Sequence, residues 1–141
     1  MGDIKLLDCT LRDGGHINQG EFGHNVIKSI ISNLVKAGID IIEVGFLWEY
    51  ITNNDTARFY NIEELKQILP KDMGNSKVSL MVDNIDLSHL EDNDGTVDFI
   101  RLSFRKNEFE WAEENAKILM KKGYKVFINP IHGSAFSDKE Y

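Results

Sequence analysis

A short segment near the start of the chain groups three side chains that can do chemistry: Arg12, Asp13 and His16. A guanidinium can hold a carboxylate or an enolate oxygen through two parallel hydrogen bonds. A carboxylate is a ligand for hard divalent cations, and an imidazole exchanges protons near neutral pH. Together these groups indicate a reaction site that handles an anionic oxygen.

The residues around this group predict where it lies in the fold. The apolar run Ile4, Leu6 and Leu7 is typical of a buried β-strand, so the reactive groups follow the strand end. Gly14 and Gly15 are predicted to turn with positive φ and to let the backbone approach a ligand.

The string D-C-T-L-R-D-G-G-H, residues 8–16, resembles the D-x-T-L-R-D-G signature of the DRE-TIM metallolyase superfamily. That superfamily includes the hydroxymethylglutaryl-CoA lyase-like (HMGL-like) proteins, isopropylmalate and homocitrate synthases, and the 4-hydroxy-2-oxovalerate aldolases. The resemblance implies an α/β fold, a parallel (β/α)8 TIM barrel, and one divalent metal, Mn²⁺ or Mg²⁺.

The resemblance also implies roles for single residues. Asp13 matches the metal-binding aspartate, with an ion pair to Arg12 as the alternative. Arg12 would stabilise the charge that develops on a carbonyl oxygen as a carbon–carbon bond breaks. His16 stands where the acyl-CoA condensing synthases read D-G-E-Q, and it resembles the aldolase base that takes the proton of a 4-hydroxyl group. A surface histidine is the alternative.

Glu43 lies inside an otherwise apolar predicted strand, at the place of a glutamate that the family has near its site. A buried carboxylate is costly unless it is paired, so Arg12 is expected as its partner. A catalytic role and a structural ion pair that holds Arg12 both remain open.

Further polar residues lie on or just past predicted strand ends, where barrel active sites form. They are expected to line a substrate pocket, whereas Cys9 is expected to pack. These pocket residues are Asp8, Arg101, Ser103 and Asn129, with His132 beside them.

Nearly continuous apolar strands that alternate with helices predict a parallel sheet. After the first strand, the predicted strands are 39–46, 77–82, 97–102 and 124–129. Helices are predicted at about 25–37, about 62–69 and about 108–122, with a further helix start at 137–140. Asn25 is predicted to cap the first of these helices, and Gly38 to end it. A long loop is predicted at 47–60.

A closed barrel needs eight strands and roughly 250 residues, whereas this chain has 141 residues and five predicted strands. We therefore expect residues 1–141 to be the N-terminal portion of a barrel, with a small open α/β sheet as the alternative. The bare edge strands of such an arc would favour a homo-oligomer through the sheet edges.

The histidines stand at positions 16, 24, 89 and 132, so the His-x-His pair that the resemblance implies is missing. The metal site is therefore expected to be incomplete, and the 141-residue chain inactive by itself.

The formal charge of −7, without a lysine or arginine block, argues against nucleic acid or an anionic membrane as partner. No apolar run approaches a membrane span of about 20 residues. The single cysteine suits a reducing compartment, and a cytoplasmic location is predicted.

The predicted activity is that of a metal-dependent aldolase, a carbon–carbon lyase. It would cleave a small 4-hydroxy-2-oxoacid into a 2-oxo acid such as pyruvate and an aldehyde. A Claisen-type synthase that condenses an acyl-CoA with a 2-oxoacid is one alternative, and the missing D-G-E-Q counts against it. A non-catalytic, barrel-derived binding domain is the other.

Overall fold

A parallel sheet with helices packed against it forms the centre of the computed structural model, which describes residues 4–137. The helices are α1 (Thr10–Asp13), α2 (Gly15–Asn18), α3 (His24–Lys36), α4 (Ile62–Lys66) and α5 (Phe109–Lys121), with short 3₁₀ turns at Lys106–Glu108 and Gly133–Ala135. The strands are β1 (Leu7–Asp8), β2 (Ile41–Leu47), β3 (Arg58–Phe59), β4 (Lys77–Asp83), β5 (Phe99–Phe104) and β6 (Lys125–Pro130).

The sheet has the strand order β1-β2-β4-β5-β6, and every neighbouring pair is parallel. Along this path of five strands, each step in chain order moves one strand in the same direction, and only the two-residue β3 pairs with β2 off the path. The order of the five strands does not reverse as it does in a doubly wound sheet. This sequential order is that of the first strands of a (β/α) barrel, and the predicted fold class is confirmed.

The two faces of the sheet differ in chemistry, because successive side chains of a strand point to opposite faces. The face toward the helices is apolar and forms the core, with fully buried residues such as Ile42, Leu80 and Ile100. The other face, which would be the inside of a barrel, includes Glu43 beside Ser79. It is this second face that positions the polar groups of the candidate site.

The prediction of a buried first strand is wrong. Strand β1 has only two residues, and Ile4, Leu6 and Leu7 are 89%, 59% and 37% exposed. Within residues 4–137, β1 pairs with β2 alone, so one side of the strand remains uncovered. The opposite edge strand, β6, likewise exposes Phe127. Pairing of these edges with another copy stays a prediction.

The predicted helices are present, with changes at their ends. Helix α3 begins after Gly23, so Asn25 lies inside the helix and is not its cap. Gly38 has φ +73° just beyond its end, as predicted. Met120, which the apolar spacing of residues 108–122 predicts on the inner face of α5, is instead 65% exposed. The helix start predicted at 137–140 lies outside the described residues, apart from Ser137. Within residues 4–137, no helix is both long enough and apolar enough to cross a lipid bilayer.

The predicted loop at 47–60 contains a strand that the sequence analysis missed. Strand β3 pairs with the end of β2, and the N–H groups of Phe46 and Trp48 donate to the carbonyls of Ala57 (3.0 Å) and Phe59 (2.7 Å). This close approach requires a glycine at position 45. Its φ is +149°, and a Cβ there would lie 2.1 Å from the Ala57 oxygen.

Replacing Gly45 by alanine should therefore lower the free energy of unfolding by about 2–3 kcal/mol, because the new methyl group must push β3 off β2 and break its hydrogen bonds. Urea denaturation measures the loss. Gly74→Ala is the matched control, since Gly74 also has positive φ (+55°) but no atom within 4 Å of its missing Cβ. Equal losses in the two variants would show that backbone strain, and not the contact with β3, explains Gly45.

Candidate functional site

A buried cluster of three charged side chains lies on the inner face of the sheet. Glu43, on β2, is fully buried, and its carboxylate accepts hydrogen bonds from Arg12 Nε (2.7 Å) and from Arg101 Nε and Nη2 (2.8 and 2.6 Å). The predicted pairing of Glu43 with Arg12 is confirmed. The second partner, Arg101, extends from β5 two strands away.

The charges of this cluster do not cancel. One carboxylate between two guanidinium groups leaves a net positive charge, which Asp13 offsets from the surface through a 2.7 Å bond to Arg12 Nη1. Burial lowers the pKa of Arg12, but its hydrogen bonds to Glu43 and Cys9 outweigh this, and the pKa is raised. Arg12 is therefore a permanent, oriented cation.

Cys9 lies next to the cluster, with its Sγ 3.9 Å from Arg101 Nη2. Burial and the negative charge of Glu43 raise the pKa of the Cys9 thiol, against the opposing effect of Arg12. Because only the thiolate is a strong nucleophile, Cys9 is poorly suited to react at neutral pH. Its place supports the predicted packing role.

Two very short helices position the residues that follow β1. Arg12 is on α1 and His16 on α2. The expected positive φ of Gly14 and Gly15 is wrong: Gly14 has φ −60°, and Gly15 is the first helical residue of α2. A Cβ on Gly14 would instead lie 2.5 Å from the Thr10 oxygen. Gly14 thus lets the chain approach itself, whereas Gly15 lines the pocket that Arg12 and His16 share, and the approach of a ligand to this backbone stays a prediction.

Arg12 and His16 line the same pocket, which has a volume of about 270 Å³. The His16 ring meets the Phe46 ring edge to face, with centroids 6.0 Å apart. Strands β2 and β4 contribute at their carboxyl ends, where barrel active sites form. Besides Arg12, His16 and Phe46, the lining includes Trp48, Glu49, Arg58, Asp83 and Asn84.

Three charged pocket residues were missed by the sequence analysis: Glu49, which is exposed, and Arg58 and Asp83. Arg58 lies on β3, and its guanidinium carbon is 4.5 Å from the centre of the Trp48 ring. Asp83 ends β4 and is paired with Arg105 at 3.1 Å. An arginine and a tryptophan in a segment predicted as loop gave one available signal, because loops at strand ends often carry binding residues.

The four polar residues predicted to line the pocket lie elsewhere in the described structure. Asp8 accepts hydrogen bonds from the backbone N–H and the hydroxyl of Thr10 (both 3.0 Å). Ser103 and Asn129 are neighbours on β5 and β6, and Arg101 holds Glu43. They lie outside the lining of the 270 Å³ pocket. Their contact with a substrate stays a prediction.

The described residues do not by themselves fit a divalent metal. The Asp13 side chain is 68% exposed and bonded to Arg12. Among residues 4–137, no three His, Cys, Asp or Glu side chains come together in a way that could hold a metal ion. Mg²⁺ and Mn²⁺ prefer several oxygen ligands. The metal role of Asp13 therefore remains a prediction.

Comparisons with known proteins give short, local similarity. No family model matches the chain. Over 44 residues it is 39% identical to a 4-hydroxy-2-oxovalerate aldolase of Mycobacterium avium (strain 104), and over 42 residues 36% identical to 4-hydroxy-2-oxovalerate aldolase 6 of Rhodococcus jostii (strain RHA1). The matches cover 31% and 30% of this chain and 12% of each relative. Over less than a third of its length, the chain is thus similar to aldolases.

Proposed function

We propose that this chain is the N-terminal portion of a (β/α)8 carbon–carbon lyase that cleaves a 4-hydroxy-2-oxoacid into a 2-oxo acid and an aldehyde. The observation that supports this most is the placement of Arg12. Its guanidinium is held by the buried Glu43 and forms part of a pocket that His16 also lines. The local similarity to aldolases supports the same activity.

In the proposed reaction, His16 accepts the proton of the 4-hydroxyl group. The C3–C4 bond then breaks, its electron pair forms the enolate of the 2-oxo acid, and the former hydroxyl carbon leaves as an aldehyde. A proton on C3 completes the 2-oxo acid. The half-open pocket gives the exposed His16 imidazole access to both substrate and solvent, as a proton-transferring group needs.

Arg12 stabilises the enolate oxygen in this scheme. Only one of its nitrogens bonds Glu43 and another bonds Asp13, so of the five guanidinium N–H groups some remain for a ligand. Because Glu43 holds the guanidinium in place before substrate binds, little reorganisation is needed as charge develops. The structural ion pair and the catalytic role are therefore compatible, with Glu43 as a positioning residue.

We further propose that Asp13 is the contribution of this chain to a Mn²⁺ or Mg²⁺ site of the complete barrel. The remaining ligands would have to come from outside the described residues, since these do not complete a site. None of the steps given for Arg12 and His16 depends on the metal.

The experiment that tests this function compares the 141-residue chain with a polypeptide in which the barrel is completed. Purified protein is incubated with 4-hydroxy-2-oxoacids, and release of the 2-oxo acid is followed by a coupled dehydrogenase. We expect cleavage by the completed barrel and none by the shorter chain, because its described residues do not by themselves form a metal site. Thiol release from an acyl-CoA with a 2-oxo acid, without any cleavage, would favour the condensing alternative. Neither reaction would favour a binding domain.

The size of the pocket bears on the same choice. About 270 Å³ is just below the usual range of ligand-pocket volumes and suits a small organic acid. An acyl-CoA would have to extend well beyond it. This supports a small 2-oxoacid as the substrate.

A further inference from the structure

We propose that Arg58 is a second anion-binding residue of the pocket, and that the ligand carries an anionic group at the end away from Arg12. Read as the substrate of the lyase, this ligand would release an aldehyde that bears a carboxylate or a phosphate. That last step rests on the proposed function, whereas the anion site itself does not.

The backbone around Arg58 is fixed by its neighbours. The Ala57 N–H donates to the Gly20 carbonyl (2.9 Å), and its carbonyl accepts from Phe46 (3.0 Å). Gly45 makes this docking possible, as its missing Cβ leaves room for the Ala57 oxygen. The Arg58 side chain passes close to Gly20, with its Nε 3.5 Å from where a Cβ of Gly20 would be. The backbone that carries Arg58 is thus held in place at the pocket wall.

The Arg58 guanidinium has an aromatic partner but no carboxylate. It stacks on Trp48 at 4.5 Å, and within residues 4–137 no carboxylate lies at ion-pair distance from it. The other three arginines differ, since Arg12 and Arg101 hold Glu43 and Arg105 holds Asp83. Stacking occupies the face of a guanidinium and leaves its in-plane N–H groups free to bind a carboxylate or phosphate at two points.

The acidic side chains of the pocket do not neutralise the positive charge of Arg58. Asp83 is already paired with Arg105 at 3.1 Å. Glu49 lines the pocket too, but it is exposed to solvent, where water and salt weaken its field. The pocket is therefore lined by two guanidinium groups, Arg12 from α1 and Arg58 from β3, of which only Arg12 is paired with carboxylates.

In this proposal each of the two arginines binds one end of the ligand. A volume of about 270 Å³ accommodates an acid of roughly five or six carbons. With the 2-oxo acid end at Arg12, the proposal places the far end of such a molecule at Arg58, which lines the same pocket. A neutral far end would leave the Arg58 cation without a counterion in a pocket closed by substrate, which costs free energy.

The proposal is tested by titrating the 141-residue chain with pyruvate and with the diacid 2-oxoglutarate, and by following the indole N–H signals of its two tryptophans by NMR. The diacid should bind at least about tenfold more tightly than pyruvate and should shift the Trp48 signal. The Trp111 signal, from α5, is the internal control and should not move. A parallel titration with 3-phosphoglycerate shows whether the far group is better matched by phosphate than by carboxylate.

Variants of Arg58 give the second measurement. Arg58→Met should remove the preference for the diacid, because it lowers the affinity for the diacid much more than the affinity for pyruvate. Arg58→Lys should keep part of the preference. Lys117→Met, on the exposed face of α5, controls for the loss of one positive charge. An unchanged diacid preference in Arg58→Met, or no shift of Trp48 in the unmodified chain, would overturn the proposal. The Trp48 shift is measured on the unmodified chain, so it tests the proposal even if the Arg58→Met variant does not fold.

The anion site and the lyase activity can fail separately. Diacid binding that depends on Arg58, without cleavage by the completed barrel, would keep the anion site and reject the lyase. Cleavage by the completed barrel, without any dependence of diacid binding on Arg58, would keep the lyase and reject the anion site.

Discussion

Replacing His16 by alanine in the completed barrel should slow cleavage of a 4-hydroxy-2-oxoacid by about 10²–10⁴-fold, the usual contribution of a general base. The variant should also lose the acid limb of the pH–rate profile, because only the unprotonated imidazole can accept the hydroxyl proton. The profile of kcat against pH, measured for both proteins, checks this. His16 is exposed on α2, so the substitution should leave the fold intact.

Arg12→Lys gives the comparison for that result. Lysine keeps the charge but loses the planar fork, so kcat should fall by about 10²–10³-fold with a smaller change in KM, as for a donor that acts mainly in the transition state. A His16→Ala enzyme with a normal rate and an unchanged pH profile would contradict the assignment of the base. The choice of an aldolase over the other family activities would then lose its main support.

The sheet could be predicted from the sequence because its signal is local and repeated. Apolar runs such as 39–46 and 77–82 have the length of strands and are too short for typical helices, and the glycine at 38 marks the turn between helix and strand. The observed strands β2 and β4 differ from these ranges by one or two residues. Parallel pairing then follows from the intervening helices.

The first strand was misjudged because burial is not a local property. The pattern at Ile4, Leu6 and Leu7 indicates a strand but not how many neighbours it has. In the described structure β1 pairs on one side only, and its apolar side chains are exposed. Strand β3 was missed for a related reason. A strand of two residues is too short to show an alternating pattern, and the one sign of it in the sequence, the glycine at position 45, lies on a different strand.

The site was predicted in part. A carboxylate inside an apolar strand demands a cation, and Glu43 does pair with Arg12. Nothing in the sequence says that Arg101, 58 residues further on, also bonds Glu43, because the contact depends on the register of β2, β4 and β5. Arg58 was missed because its stacking on Trp48 depends on the docking of β3.

Removing the Glu43 carboxylate should be the most destabilising change in this cluster. Glu43→Ala leaves Arg12 and Arg101, whose side chains are 15% and 18% exposed, without their shared anion. Removing one partner of a buried ion pair lowers the free energy of unfolding by about 3–5 kcal/mol, because the remaining charges are left without a counterion. We expect a loss of this size in the free energy of unfolding, measured by urea denaturation.

The size of that loss depends on burial, and Asp40→Asn provides the control. Asp40 pairs with Lys5 at 3.2 Å, but the Lys5 side chain is 62% exposed, so the change should cost much less than Glu43→Ala. Glu43→Ala with Arg101→Met should recover part of the loss, because one of the two unpaired cations is gone. If Glu43→Ala costs no more than Asp40→Asn, then the guanidinium groups reach water without Glu43. Its role in holding Arg12 against the pocket would then have to be given up, and with it the preorganisation on which the proposed enolate stabilisation depends.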